Sequence, residues 1–211
     1  RVTGPKIHST ERGKSMNTQK ANPTTALVVG ASGATGRLLV RQLLNRGLNV
    51  KAIVRSPDKL PEDLKNHPNL SIIQASLLDL SEAELARHVN DCTAVASCLG
   101  HNLSFKGMFG QPRLLVIDAT RRLCRAIKAN TSERPVRFVL MNTTGNSNRD
   151  IPEHVSLGQM LVIWLLRAFL PPHRDNERAA DYLRTEIGQN DKDIAWVAVR
   201  PDSLKDVNEI T

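Results

Sequence analysis

Cysteines, aromatic side chains and long apolar runs are all scarce in this 211-residue chain. The three cysteines, Cys92, Cys98 and Cys124, are odd in number and fall at no metal-ligand spacing. That pattern argues against a disulfide framework or a metal site and reads as buried free thiols in a reducing compartment. The most apolar stretch, 157–170, is too short to span a bilayer and contains Arg167. No secretory signal precedes the first strand-like run, so the expected location is cytoplasmic. Aromatics make up 3% of the residues, and Tyr182 is the only tyrosine. There is no internal repeat and no domain linker. With 40% hydrophobic and 24% charged residues, the chain has globular composition and the length of one ordinary domain.

Acidic residues are fewer than basic ones, which leaves a net charge of +8. The excess is unevenly placed. Residues 1–20 carry Arg1, Lys6, Arg12, Lys14 and Lys20 against Glu11 alone, so half of it lies where there is almost no apolar periodicity. Residues 1–24 therefore read as a flexible tail or an expression remnant, with Met16 a natural start. The remaining charge suits an anionic small molecule, and no nucleic-acid partner is expected.

The most informative stretch is Ala26-Leu-Val-Val-Gly30-Ala-Ser-Gly33-Ala-Thr-Gly36-Arg37. An apolar run enters a turn with glycines three apart, and a helical pattern follows from Leu38. Such a turn brings backbone N–H groups and a helix N-terminus to one point, where an anion is favoured. Gly30 permits a sharp exit from the strand, Gly33 a close approach of pyrophosphate, and Gly36 tight packing of helix on sheet.

Around this turn the pattern alternates. Strand-like runs fall at 26–30, 49–54, 70–74, 93–98, 136–141 and 194–199, with helix-like segments near 36–46, 58–66, 81–90, 112–130 and 173–188. Ser81 and Glu84 form a capping-box signature, and Gly47 closes the first helix. Alternation of this kind predicts an α/β fold, a Rossmann-like doubly wound parallel sheet with strand order 3-2-1-4-5-6. Residues 25–211 are expected to form a single domain. The last two strands are separated by about fifty residues, so a 146–175 insertion is expected over the ligand crevice. Within it, 156–170 is apolar almost all round and must be covered, as a core or lid helix, a subunit interface, or a contact with a membrane surface or another protein.

The second strand ends in Val54-Arg55-Ser56, where an NAD site usually places an acid to accept from the ribose 2′-OH. An arginine here pairs instead with a 2′-phosphate, so NADP(H) is favoured over NAD(H). Arg37 is placed to add charge to the same pocket. Ser76 and Leu77 fall where adenine would lie, and the backbone at Leu99 and Gly100 would line the far ribose. His101, at the crevice edge, is a candidate proton donor.

Together with Met141-Asn-Thr143-Thr144-Gly145, Tyr182-Leu-Arg184 and Trp196-Val-Ala-Val-Arg200-Pro201, these motifs resemble the atypical short-chain dehydrogenase/reductase superfamily. They are most similar to NAD(P)H-binding reductases of the biliverdin-IXβ reductase/flavin reductase kind and to NmrA-like proteins. The resemblance covers residues 26 to about 204. It implies that Gly30, Ser32, Gly33, Ala34, Thr35 and Gly36 hold the pyrophosphate, that Arg55 and Ser56 hold the 2′-phosphate, and that Ser76, Leu77, Leu99 and Gly100 line the nucleoside ends. Thr144 falls at the family's serine position beside the nicotinamide, with Thr143 next to it, and Pro201 follows the strand backing the nicotinamide. The catalytic candidates are Thr144, Thr143 and His101.

The chain departs from the family at the catalytic tyrosine–lysine pair, whose positions carry Pro172 and Asn176. Tyr182 is followed four residues later by Glu186 and reads as a packed helix residue. Relatives continue past the position of Pro201, so the C-terminal part reads as incomplete. The expected activity is hydride transfer from NADPH to a planar acceptor such as a flavin, quinone or tetrapyrrole. The alternative is a non-catalytic NADP(H)-binding redox sensor or assembly factor. A homodimer or protein partner through 156–170 is a further expectation.

Overall fold

The computed structural model describes residues 24–100, 114–142 and 171–201. Six strands form one parallel sheet: β1 (Thr25–Val29), β2 (Asn49–Val54), β3 (Leu70–Gln74), β4 (Ala94–Ser97), β5 (Val136–Met141) and β6 (Ile194–Val199). Their order is β3-β2-β1-β4-β5-β6, the doubly wound order expected from the alternation. The register pairs Val29 with both Ile53 and Ser97, so the C-terminal ends of the three central strands lie side by side.

The sheet buries both faces, and β1 is apolar and buried from Ala26 to Val29 because both of its faces are covered. On one side Val28, Val50, Ala52 and Val54 pack with Val40 and Leu44 of helix α1 (Ala34–Asn45) and Leu64 of the short α2 (Glu62–Lys65). On the other, Leu27, Val29, Val95, Phe138 and Leu140 pack with three helices: α3 (Glu82–Val89), α4 (Leu115–Lys128) and α5 (Pro171–Tyr182), the last continued by a π-helical turn over Leu183–Ile187.

The helix ends follow local chemistry. Gly47 adopts φ +76°; its N–H donates to the Leu44 carbonyl and that of Leu48 to the Leu43 carbonyl, the double closure of a Schellman motif. At α3 the Ser81 hydroxyl accepts from the Glu84 N–H and the Glu84 carboxylate accepts from the Ser81 N–H, so the expected capping box forms. Helix α4 differs: Leu114 at its N-cap position offers no side-chain acceptor.

The expected tail up to Pro23 and the 156–170 helix lie outside the described residues, as does residue 146–170 of the expected insertion. Among the described residues, no helix is long and apolar enough to cross a membrane.

Candidate nucleotide site

The turn from β1 into α1 is held by backbone contacts that no side chain could share. Gly30 sits at φ +74°, and a Cβ there would lie 2.5 Å from the Cys98 carbonyl oxygen. A Cβ on Gly36 would lie 2.1 Å from the Gly30 carbonyl oxygen. Both glycines are therefore required by close backbone approach, Gly30 also by its left-handed conformation. The Gly33 N–H closes the turn by donating to the Gly30 carbonyl at 3.0 Å. Gly33 is also the N-cap of α1, which has no side-chain cap and no acid in its first turn. The N-terminal donors of α1 thus have no acidic side chain from their own helix beside them.

Beside this terminus lies a cavity of about 260 Å³, formed at the C-terminal ends of β1, β2, β3 and β4. Its lining brings together Gly30, Ser32, Gly33, Arg55, Ser76, Leu77, Leu99 and Gly100, eight of the residues singled out from the sequence. Of the others, Ala34, Thr35, Gly36, Arg37, Ser56 and Pro201 are not among its lining residues. Arg37 is exposed on α1, and Gly36 is buried beneath the turn. His101, Thr143 and Thr144 lie outside the described residues.

The cavity also has walls that sequence reading missed. Lys59 reaches it from the 3₁₀ turn Pro57–Lys59, which doubles the chain back after β2. The signal was present in Arg55-Ser-Pro-Asp-Lys59, where the proline favours a turn that returns the lysine toward the arginine. Leu115, the first residue of α4, closes another side, and nothing local in the sequence marks it. Among the described residues of the lining, Arg55 and Lys59 are the two charged ones and none is acidic. The lining otherwise divides into apolar side chains and the polar groups of the glycine turn, Ser32 and Ser76.

Cys98 is half-buried and lines the cavity, whereas Cys92 and Cys124 are buried. Burial pushes the thiols of Cys92 and Cys98 up to about 11 and that of Cys124 to about 12. All three are therefore protonated, poorly nucleophilic thiols near neutral pH.

The polar residues farther along the sheet edge have structural tasks. Asp175 is fully buried, and its carboxylate accepts from the N–H groups of Val116 at 2.8 Å and Ile117 at 3.0 Å. Although it stands in the first turns of its own helix, Asp175 caps α4, a helix 58–59 residues earlier in the chain. Asn176, at the position where many relatives carry lysine, accepts through its backbone carbonyl from the Asn142 side-chain amide at 3.1 Å. Tyr182 packs on the core with the Arg121 guanidinium 5.6 Å from its ring centroid, and burial is the main cause that raises its pKa.

Comparison with known proteins gives this geometry a family. A family model described as NAD(P)H-binding matches residues 30–211. The chain belongs to the NAD(P)H-binding family. A chloroplast protein of Arabidopsis thaliana, itself uncharacterised, is 35% identical over 88 residues, which span 42% of this chain and 30% of that protein. A short-chain dehydrogenase/reductase of Veillonella parvula superposes with a TM-score of 0.60 at 14% identity, covering 85% of this chain and 69% of that one. A candidate NADH-flavin reductase of Streptococcus pneumoniae gives 0.54 at 20% identity, covering 84% and 71%. These likenesses are of fold: the NAD(P)H-binding chain shares with those structures a Rossmann-like parallel α/β architecture.

Proposed function

We propose that the chain is an NADP(H)-binding oxidoreductase that carries hydride from NADPH to a planar acceptor. The observation that carries this reading is the pairing of an α1 N-terminus without a side-chain cap with Arg55 and Lys59 in one cavity, whose described lining holds no acid. Such a site suits a dinucleotide with an additional phosphate. The turn from Gly30 to Gly33 would receive the pyrophosphate on backbone N–H groups, with Ala34, Thr35 and Gly36 continuing the cradle into α1. Arg55 and Lys59, with Ser56 beside them, would hold the 2′-phosphate, where a carboxylate would be repelled by that group. Arg37 would add long-range attraction from the surface. Ser76 and Leu77 would flank adenine, Leu99 and Gly100 the far ribose, and Pro201 would follow the strand backing the nicotinamide. When bound, the cofactor supplies a hydride donor at C4 of its nicotinamide ring.

What the chain's own residues do is bind and orient. Thr144 and Thr143 are placed by the resemblance beside the nicotinamide, and His101 at the crevice edge would donate a proton. Neither Pro172 nor Asn176 can replace the tyrosine–lysine pair as an acid, and Tyr182 is packed against the core. That departure favours acceptors that take hydride without a positioned protein acid, such as flavins, quinones or tetrapyrroles. It also supports a second reading, in which the protein binds NADP(H) without turnover and acts as a redox sensor or assembly factor. We place the whole in one domain over 25–211 and, from its cysteine usage, in the cytoplasm; a homodimer or protein partner through 156–170 belongs to the same reading.

Titration with NADPH and NADH, followed by nicotinamide absorbance with a panel of flavins, quinones and bilins, tests the proposal. Turnover with any acceptor supports the enzyme, while tight NADPH binding with none supports the sensor. Arg55→Asp should lower NADPH affinity relative to NADH by tenfold or more, on the order of the 1.4 kcal/mol that a tenfold change represents. An unchanged ratio would overturn the NADP(H) assignment.

A further inference from the structure

Asp175 stands out because a fully buried carboxylate is spent on a helix from a distant part of the chain. Its two oxygens satisfy the Val116 and Ile117 N–H groups, the first-turn donors of α4 that Leu114 leaves uncapped. The residue immediately before them, Leu115, is a wall of the nucleotide cavity. On the other side, Asn176 is tied through its carbonyl to the Asn142 amide, and the Asn142 N–H is tied to the Val199 carbonyl of β6. The ends of β5 and β6, the start of α5 and the start of α4 are thus tied by polar bonds, and Leu115 brings the α4 end of that chain to the cavity. Asn142 and the first turns of α5 also flank the 143–170 segment on its two sides.

We infer that Asp175 is a positioning residue that couples nucleotide binding in the cavity to the placement of α5. This rests on the nucleotide reading above. The physical link is short and stiff. A ligand that fills the cavity presses on Leu115, and α4 cannot yield farther along because Leu123, Cys124 and Ile127 are locked in the core. Ordering the first turn of α4 then aligns the two N–H groups on Asp175, and a buried carboxylate is intolerant of losing such partners. Coupling of this kind is reciprocal, so the carboxylate that gains from nucleotide binding also strengthens it. Arg122 extends the same scaffold: its guanidinium donates to the carbonyls of Leu78 and Leu80, holding the loop that carries Ser76 and Leu77 against α4. One helix therefore supports the nucleoside end of the cavity and, through Asp175, the helix that follows the 143–170 segment.

Amide hydrogen exchange on the full chain, with and without saturating NADPH, tests the coupling. NADPH should slow exchange in 26–37, in 114–120 and in 174–182, and leave α3 (82–89) at its free rate. In Asp175→Asn, which keeps one acceptor oxygen but turns an amide donor toward the second N–H, protection should persist in 26–37 and be lost in 174–182. NADPH affinity should fall about tenfold, within the usual range of coupling between sites. Asp175→Glu, which keeps the charge, should recover part of the affinity. Protection confined to 26–37 in the native chain would overturn the inference and leave the nucleotide reading intact. No NADPH-dependent protection even at 26–37 would overturn both. The native chain decides whether cavity and α5 are coupled even if a variant fails to fold, and protection at 174–182 that persists in folded Asp175→Asn or Asp175→Ala would overturn the role of Asp175.

Discussion

Gly36 shows what a single missing side chain does in this molecule. Its Cα faces the Gly30 carbonyl so closely that a methyl group would sit 2.1 Å from the oxygen, and both partners are backbone. Neither a rotamer change nor a small side-chain shift relieves that contact. Gly36→Ala should therefore destabilise the fold by about 3 kcal/mol or more, at or above the usual cost of overpacking. A urea titration would show it as a lowered midpoint at unchanged slope. A midpoint within error of the native chain would mean that the helix–strand approach is looser than the geometry requires. Gly33 differs, since a Cβ there would stand 3.2 Å from the same oxygen and the residue is exposed. Its substitution should weaken nucleotide binding more than folding.

Among the helices, the distribution of N-caps separates structure from site. Helix α3 is capped by its own Ser81 and Glu84, α4 by the distant Asp175, and α1, the helix that opens on the cavity, has no side-chain cap. An end left without a cap beside a polar cavity is where an anion gains most. The contrast is testable at the element scale. Ser81→Ala removes one exposed cap and should cost about 1 kcal/mol, read as a lower melting temperature with nucleotide affinity unchanged. A loss of affinity from that change would show that α3 takes part in the site. The alternation of strands and helices, the start of α3 and the end of α1 were legible in the sequence, because periodicity, capping boxes and glycine stops act over a few residues. The cap of α4 was not legible, because its two halves are 58–59 residues apart and meet only through the packing of α4 on α5.

At the scale of the whole molecule, the three thiols make stability depend on alkaline pH. Each folded-state pKa is raised by burial, from an ordinary value near 9 to about 11 for Cys92 and Cys98 and about 12 for Cys124. The folded state then binds more protons than the unfolded one between those values, so stability must fall as pH rises. The thiol contribution is fully present below about pH 9 and is lost as pH climbs through 11 to 12. Denaturant titrations across that window should show a falling midpoint that is blunted in Cys124→Ala. A flat profile would mean that the thiols are not desolvated in the folded chain.

By itself the sequence determined the parallel α/β architecture, the strand order and the glycine turn, since each follows from local periodicity, turn chemistry and the handedness of crossovers. It also pointed to Arg55, because that residue follows the second strand where an NAD site usually places an acid. Only the tertiary structure decided which residues share the cavity. Lys59 joins Arg55 there through a turn, Leu115 through the packing of α4, and Arg37 is left on the surface although it stands one residue after Gly36. The same is true of Asp175, which stands near the start of one helix and caps another. The physical reason is that periodicity reports which face of an element is buried, whereas a site is set by which buried faces meet.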